Sequence, residues 1–138
     1  MLKPDAVAGG HVNAINARFE RNGLHVVAQK RLRLTKEQAE KFYEIHRGKP
    51  YYESLCEYMS SGDVVVQVLA GVNAVSKNRE LMGATNSATA RPGTIRRDYG
   101  TDSQRNAVHG SDSDKTAEQE IALFFGELEL MTGAHPVF

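Results

Sequence analysis

Residues 83–112 carry Arg91, Arg96, Arg97 and Arg105 together with Thr85, Thr94, Asn106 and the run His109-Gly-Ser-Asp-Ser, and they show no hydrophobic period. Guanidinium groups grip phosphate through bidentate, charge-assisted hydrogen bonds. A neutral imidazole is a competent nucleophile near neutral pH. Several arginines beside one histidine therefore suit phosphate binding next to a nucleophile or base. An irregular segment of this length is uncommon in a small domain unless it has work to do. A solvated basic loop accounts for the same composition, and the residues alone leave both readings open. Gly110 lets backbone or ligand approach His109 closely. Ser111 and Asp112 stand where a helix is about to start, a place that attracts anions. Glu120, eleven residues after His109, is placed to hold the other ring nitrogen in one tautomer. His11, His25, His46 and His135 have no comparable surroundings and read as surface or satisfied histidines. Neither G-x-x-x-x-G-K-[ST] nor G-x-G-x-x-G occurs, so phosphate cradles of those two kinds are not expected.

The elements that must position these groups follow from periodicity. Val12, Ala14, Ile15 and Phe19 recur at roughly helical spacing over residues 11–22, and Asn22-Gly23 is the stop. Residues 24–34 alternate as a strand, with Leu24, Val26, Ala28, Leu32 and Leu34 on one face. Thr35 and Gln38 form a capping box that opens a helix running to about His46. Pro50 fits the first turn of another, with Tyr51, Leu55, Tyr58 and Met59 on one stripe and Ser61-Gly62 at its end. The β-branched run at 63–71 predicts a strand buried on both faces. A helix over 73–82 follows it. A closing helix near 115–125 carries Ile121, Phe124, Phe125 and Leu128 on its apolar side. This order predicts an α+β or α/β sandwich of helices against a small sheet, with a first strand cut short at the N-terminus.

Composition narrows the function. At 138 residues and 15.2 kDa the chain is expected to be one domain, 1–138. Cys56, the one cysteine, excludes an internal disulfide and any zinc site needing two cysteines from one chain. No apolar run is long enough to span a membrane and no signal-peptide core is visible, so a cytoplasmic protein without membrane contact is expected. Seventeen Lys+Arg balance seventeen Asp+Glu, which argues against nucleic acid as the main partner. The charges are nonetheless segregated: residues 1–50 carry ten basic and five acidic side chains, residues 111–138 one and six.

Asn106-Ala-Val-His109-Gly-Ser-Asp-Ser113 resembles the N-x-x-H-G-S-D-S signature of nucleoside diphosphate kinases. Lys3-Pro-Asp-Ala, Arg18-Phe-Glu, Pro50-Tyr-Tyr, Tyr58-Met-x-Ser-Gly62, Gly83-Ala-Thr-Asn86 and Arg91-Pro-Gly-Thr-Ile-Arg96 fall in the family's order. The resemblance covers essentially the whole chain. It implies a ferredoxin-like α+β sandwich with a four-stranded antiparallel sheet. It also implies Mg2+-dependent transfer of the γ-phosphoryl of a nucleoside triphosphate, usually ATP, to a nucleoside diphosphate through a phosphohistidine, in ping-pong order, which maintains NTP and dNTP pools.

By resemblance, His109 is the nucleophile, attacking through Nδ1, with Glu120 and Ser111 orienting the ring. Arg79, Thr85 and Arg96 correspond to nucleotide-phosphate contacts. Lys3 and Asn106 correspond to residues that meet the ribose hydroxyls and 3′-oxygen, and Tyr43 to a residue near the nucleophile. Tyr51 and Leu55 match one wall of a base-stacking slot and Ser103 the other, while Asp112 is expected to reach Mg2+ through water. The stacking aromatic is commonly Phe, so the Tyr51 hydroxyl needs solvent or a partner. Ser103 stands where an aliphatic residue is common, which predicts a wetter slot and a more weakly held base. Family members usually have a longer stretch before the lysine, forming a central strand. Only Met1-Leu2 precede Lys3 here, and truncation of a longer natural chain is the expectation. A homo-oligomer is implied, tetramer favoured over dimer or hexamer. Nucleotide binding without turnover is disfavoured because the signature set is intact, and a purely structural role because it leaves the arginine-rich loop unexplained.

Overall fold

The computed structural model describes residues 1–125; Leu128 and His135 lie outside them. Strand β1 (His25–Arg33) pairs antiparallel with β2 (Asp63–Ala70), from His25↔Ala70 to Arg33↔Asp63. A bulge between Val26 and Ala28 interrupts the alternation, leaving Ala28 1% and Val27 37% exposed. The single face drawn from Leu24 to Leu34 is thus broken in the middle. Beyond β2, Leu2 bridges antiparallel to both Val65 and Val108. Among the described residues the hydrogen-bonded sheet has two strands, with Leu2 and Val108 attached through single bridges. Extension at Leu2 stops because Pro4, which lacks an N–H, opens helix α1 (Pro4–Ala8) two residues later.

Successive side chains of β2 point to opposite faces, and both faces are packed. Val65 joins Leu2, Ala6, Ile15, Phe19, Met82 and Ile95 in one core. Val64 and Val66 join Ala28, Leu34, Ala39, Leu55 and Met59 in the other. Helix α2 (Val12–Arg21) supplies Ile15 and Phe19 to the first core. On the second side, α3 (Lys36–Phe42) starts at the expected Thr35–Gln38 capping box, and a 3-10 turn (Glu44–His46) follows where a continuous helix was expected. Helix α4 (Tyr52–Met59) buries Tyr52, Leu55, Cys56 and Met59. Helix α5 (Ala74–Met82) returns to the first side.

Residues 83–112, expected to be irregular, contain one helix, α6 (Ile95–Tyr99). At five residues it is too short to show a period, and it is held by Thr94, whose side chain accepts from the Arg97 N–H. Helix α7 (Asp114–Phe124) opens with a box made by Ser113 and Thr116. Among the described residues, no helix is long and apolar enough to cross a membrane.

Candidate active site

His109 follows a strained turn. The Val108 N–H donates to the Asn106 carbonyl two residues back at 2.8 Å, and Ala107 between them has φ 72°. A three-residue turn with a non-glycine at positive φ is rare and stores roughly 1–3 kcal/mol. What holds it comes from far away in the chain. The Ala107 N–H donates to Asp5 Oδ2 at 3.0 Å, and the Ala107 carbonyl accepts from the Lys3 N–H at 2.8 Å. Asp5 is fixed in turn by Tyr58, whose hydroxyl donates to Asp5 Oδ1 at 2.7 Å and accepts from the Asp5 N–H at 3.0 Å. Lys3-Pro-Asp and Tyr58 are therefore the brace of the histidine loop, a use that residue types alone did not reveal.

The imidazole is about three-quarters buried. Its Nε2 meets Glu120 Oε1 at 3.0 Å, and the Ser111 hydroxyl donates to the same oxygen at 2.8 Å. Phe42 and Tyr43 present ring edges to it, with centroids 4.8 and 5.7 Å away. Burial lowers the pKa of His109, only partly offset by its hydrogen bond to Glu120, so the ring is neutral at physiological pH. Burial pushes the Glu120 carboxyl up, but the bonds from His109 and Ser111 with the attraction of His109 outweigh it and leave it below the ordinary value. With Nε2 engaged, Nδ1 is the ring nitrogen available for chemistry. Gly110 leaves room for neighbouring side chains: a methyl there would strike Asn78 and Met82 of α5.

The cations are arranged around this ring. Arg96, 9% exposed, donates to the Gly83 carbonyl at 3.1 Å and to the Val108 carbonyl at 3.0 Å, beside the nucleophile, and its Nε is buried without a partner. Burial, then Arg79, lowers its pKa. Lys3 is 5% exposed and donates to the Gln104 carbonyl at 3.3 Å. Burial and then the charge of Arg96 bring it to about 8, despite Asp5 and Asp102. Arg79 is exposed and pairs with Asp112 at 2.7 Å. Asn106 is fully buried; its amide donates to the carbonyls of Thr85 and Ser103, at 2.9 and 3.1 Å, and its Oδ1 has no partner. Tyr43 is buried with its hydroxyl unpartnered, and burial followed by the charge of Glu120 raises its pKa.

Tyr51 and Leu55 lie one helical turn apart at the start of α4, the first 45% exposed and the second 8%. Ser103 is exposed on the loop before Asn106. The hydroxyl that Tyr51 brings has a partner, His46, at 2.6 Å. The structure thus gathers Lys3, Tyr43, Arg96, Ser111 and Glu120 around His109, ties Thr85 and Ser103 to it through Asn106, and links Arg79 to Asp112. Asp5, Phe42, His46 and Tyr58 were not expected at the site. Phe42 packs on His109 and His46 bonds Tyr51, while Tyr58 and Asp5 reach the site only in series, through the Ala107 N–H.

A family profile described as nucleoside diphosphate kinase matches residues 1–130. The chain is 56% identical over 131 residues to the nucleoside diphosphate kinase of Ruegeria sp. (strain TM1040), which covers 95% of this chain and 94% of that one. It is 54% identical over 130 residues to that of Legionella pneumophila, covering 94% and 92%. Among solved structures, the Aquifex aeolicus nucleoside diphosphate kinase superposes with TM-score 0.90 at 44% identity over 93% of both chains. The Halobacterium salinarum enzyme in complex with CDP does so with TM-score 0.88 at 42% identity, covering 93% of this chain and 86% of that one.

Proposed function

The chain belongs to the nucleoside diphosphate kinase family, enzymes that move phosphoryl groups between nucleotides, and within that activity we propose that His109 is the residue that carries the group. The observation behind this reading is the division of roles in the ring: Nε2 is held by Glu120, itself held by Ser111, while Nδ1 is left for attack. Nδ1 attacks the γ-phosphorus of a nucleoside triphosphate, typically ATP. An N–P bond forms as the P–O bond to the β-phosphate breaks, and the diphosphate leaves with that electron pair. Glu120 offsets the positive charge that the ring acquires. A terminal oxygen of a second nucleoside diphosphate then attacks the phosphohistidine, the N–P bond breaks, and the ring returns neutral. The order is ping-pong, and the result maintains NTP and dNTP pools.

Phosphoryl transfer depends chiefly on position and charge. Arg96, beside the nucleophile with a spare buried N–H, stabilises the transferring group. Arg79 and Thr85 bind the flanking phosphates. Lys3 and the free Oδ1 of Asn106 meet the ribose and its 3′-oxygen. Tyr51 and Leu55 face Ser103 across the base slot, and Tyr43 packs the nucleophile's ring. The divalent cation is Mg2+, with Asp112 reaching it through water. Asp112 suits that task because it is exposed, and Mg2+ needs only one or two carboxylates beside substrate phosphates and its own waters. Among the described residues no cluster of three His, Cys, Asp or Glu offers an all-protein cage. When bound, the ion neutralises phosphate charge.

The sheet reads as four antiparallel strands of a ferredoxin-like sandwich when the extended segments at Leu2 and Val108 are counted, since Leu2 bridges to both neighbours. The protein acts as a single domain over 1–138, in the cytoplasm, as a homo-oligomer with a tetramer favoured over a dimer or hexamer. Initial rates with both nucleotides varied test the mechanism: parallel double-reciprocal lines, with label exchanging between ATP and ADP in the absence of another acceptor, are expected. Intersecting lines without exchange would mean direct transfer between two bound nucleotides.

A further inference from the structure

Tyr51 stands at the N-cap of α4, 45% exposed, and its hydroxyl meets His46 Nδ1 at 2.6 Å. The intervening chain is shaped for this return. His46 closes the 3-10 turn, its carbonyl accepts from the Lys49 N–H at 3.0 Å, and Gly48 takes φ 88°, which reverses the backbone so that Tyr51 comes back over the imidazole. The two rings lie 5.5 Å apart, centroid to centroid. His46 also lies 6.1 Å from Tyr43, which lies 5.7 Å from His109, so a continuous row of rings links the base wall to the nucleophile.

We infer that His46 is a positioning residue for nucleobase recognition: its hydrogen bond to Tyr51 fixes an otherwise exposed aromatic wall in the orientation that stacks on the base. The inference rests on the reading of Tyr51 as that wall. A tyrosine at the mouth of a slot, anchored by nothing else, would have to be ordered each time a nucleotide binds, and holding one side chain in advance strengthens binding by about three- to tenfold. The bond acts only on ligands that carry a base. His46 touches no phosphate-binding residue, so the triphosphate contacts do not depend on it.

Calorimetric titration with ADP and with inorganic pyrophosphate tests this on His46→Ala, His46→Gln, Tyr51→Phe, Tyr51→Ala and the His46→Ala/Tyr51→Phe double variant. His46→Ala and Tyr51→Phe are each expected to weaken ADP about three- to tenfold and to leave pyrophosphate unchanged. The double variant is expected to bind no more weakly than either single one, because one bond is lost in all three. His46→Gln, whose amide can still bond the phenol, recovers part of the affinity. Additive losses, an equal loss for pyrophosphate, or unchanged ADP binding in His46→Ala overturn the inference. Tyr51→Ala separates the two layers. If it alone weakens ADP, the wall stands and the tether falls. If it binds ADP like the wild type, the wall reading falls and takes the tether with it.

Discussion

Replacing Tyr58 by Phe removes one oxygen and two hydrogen bonds, and both belong to the brace under the histidine loop. The hydroxyl donates to Asp5 Oδ1 at 2.7 Å and accepts from the Asp5 N–H at 3.0 Å, while Asp5 Oδ2 holds the N–H of Ala107. A bond to a carboxylate contributes about 1.5–3 kcal/mol, and a neutral one about 1 kcal/mol. Some of this is recovered by water, since Tyr58 is only half-buried. A net loss of about 2–3 kcal/mol follows, which in a domain of this size lowers Tm by roughly 8–12 °C. Activity is expected to fall as well. Ala107 is held at φ 72° by Asp5 on its N–H and by the Lys3 N–H on its carbonyl, and weakening the Asp5 side lets the turn shift and moves His109 off its line to Glu120. A drop in kcat/KM of about tenfold is expected. Calorimetry and initial-rate kinetics on Tyr58→Phe read both effects. A Tm within about 2 °C of wild type, with unchanged kcat/KM, would refute the claim that this hydroxyl braces the site.

Glu120→Gln keeps a side-chain acceptor for His109 but removes the charge that offsets the developing imidazolium. The rate of enzyme phosphorylation is expected to fall about 10- to 30-fold, measured by quenched flow in a single turnover. Lys3, brought to about 8 by burial and the charge of Arg96, loses its proton as the pH climbs through that value. kcat/KM, which follows the free enzyme, therefore falls above pH 8, and a profile flat to pH 9.5 or so would contradict this. The same group makes folding stability rise between pH 8 and 10.5, because the unfolded chain still holds the proton that the folded one has released. Gly110→Ala drives a methyl into Asn78 and Met82, and chemical denaturation is expected to show a loss of about 1–3 kcal/mol.

How much of this was legible in the sequence depended on distance along the chain. Glu120 lies eleven residues after His109, and its pairing with the ring could be drawn from that spacing, whereas the Ser111 bond to the same carboxylate could not. The capping box at Thr35 and the β-branched run of β2 were local signals, and the chain follows both. Helices α1 and α6 were not legible, because five residues give no period and their termini are set by Pro4 and by the Thr94 cap. The bulge near Val27 was invisible for a different reason. Register depends on the partner strand, and β2 lies about forty residues away. The brace from Asp5 and Tyr58 to Ala107 spans more than a hundred residues. Nothing in the residue types distinguished that carboxylate from any other at a helix start.

Incubation of the purified protein with γ-labelled ATP and Mg2+, with His109→Ala alongside, tests the central claim most directly. The wild type is expected to take up label that is acid-labile and base-stable, and to surrender it on addition of any nucleoside diphosphate, while folded His109→Ala takes up none. Label that persists in folded His109→Ala, or a folded wild type that transfers phosphoryl groups without ever carrying the label, would contradict it.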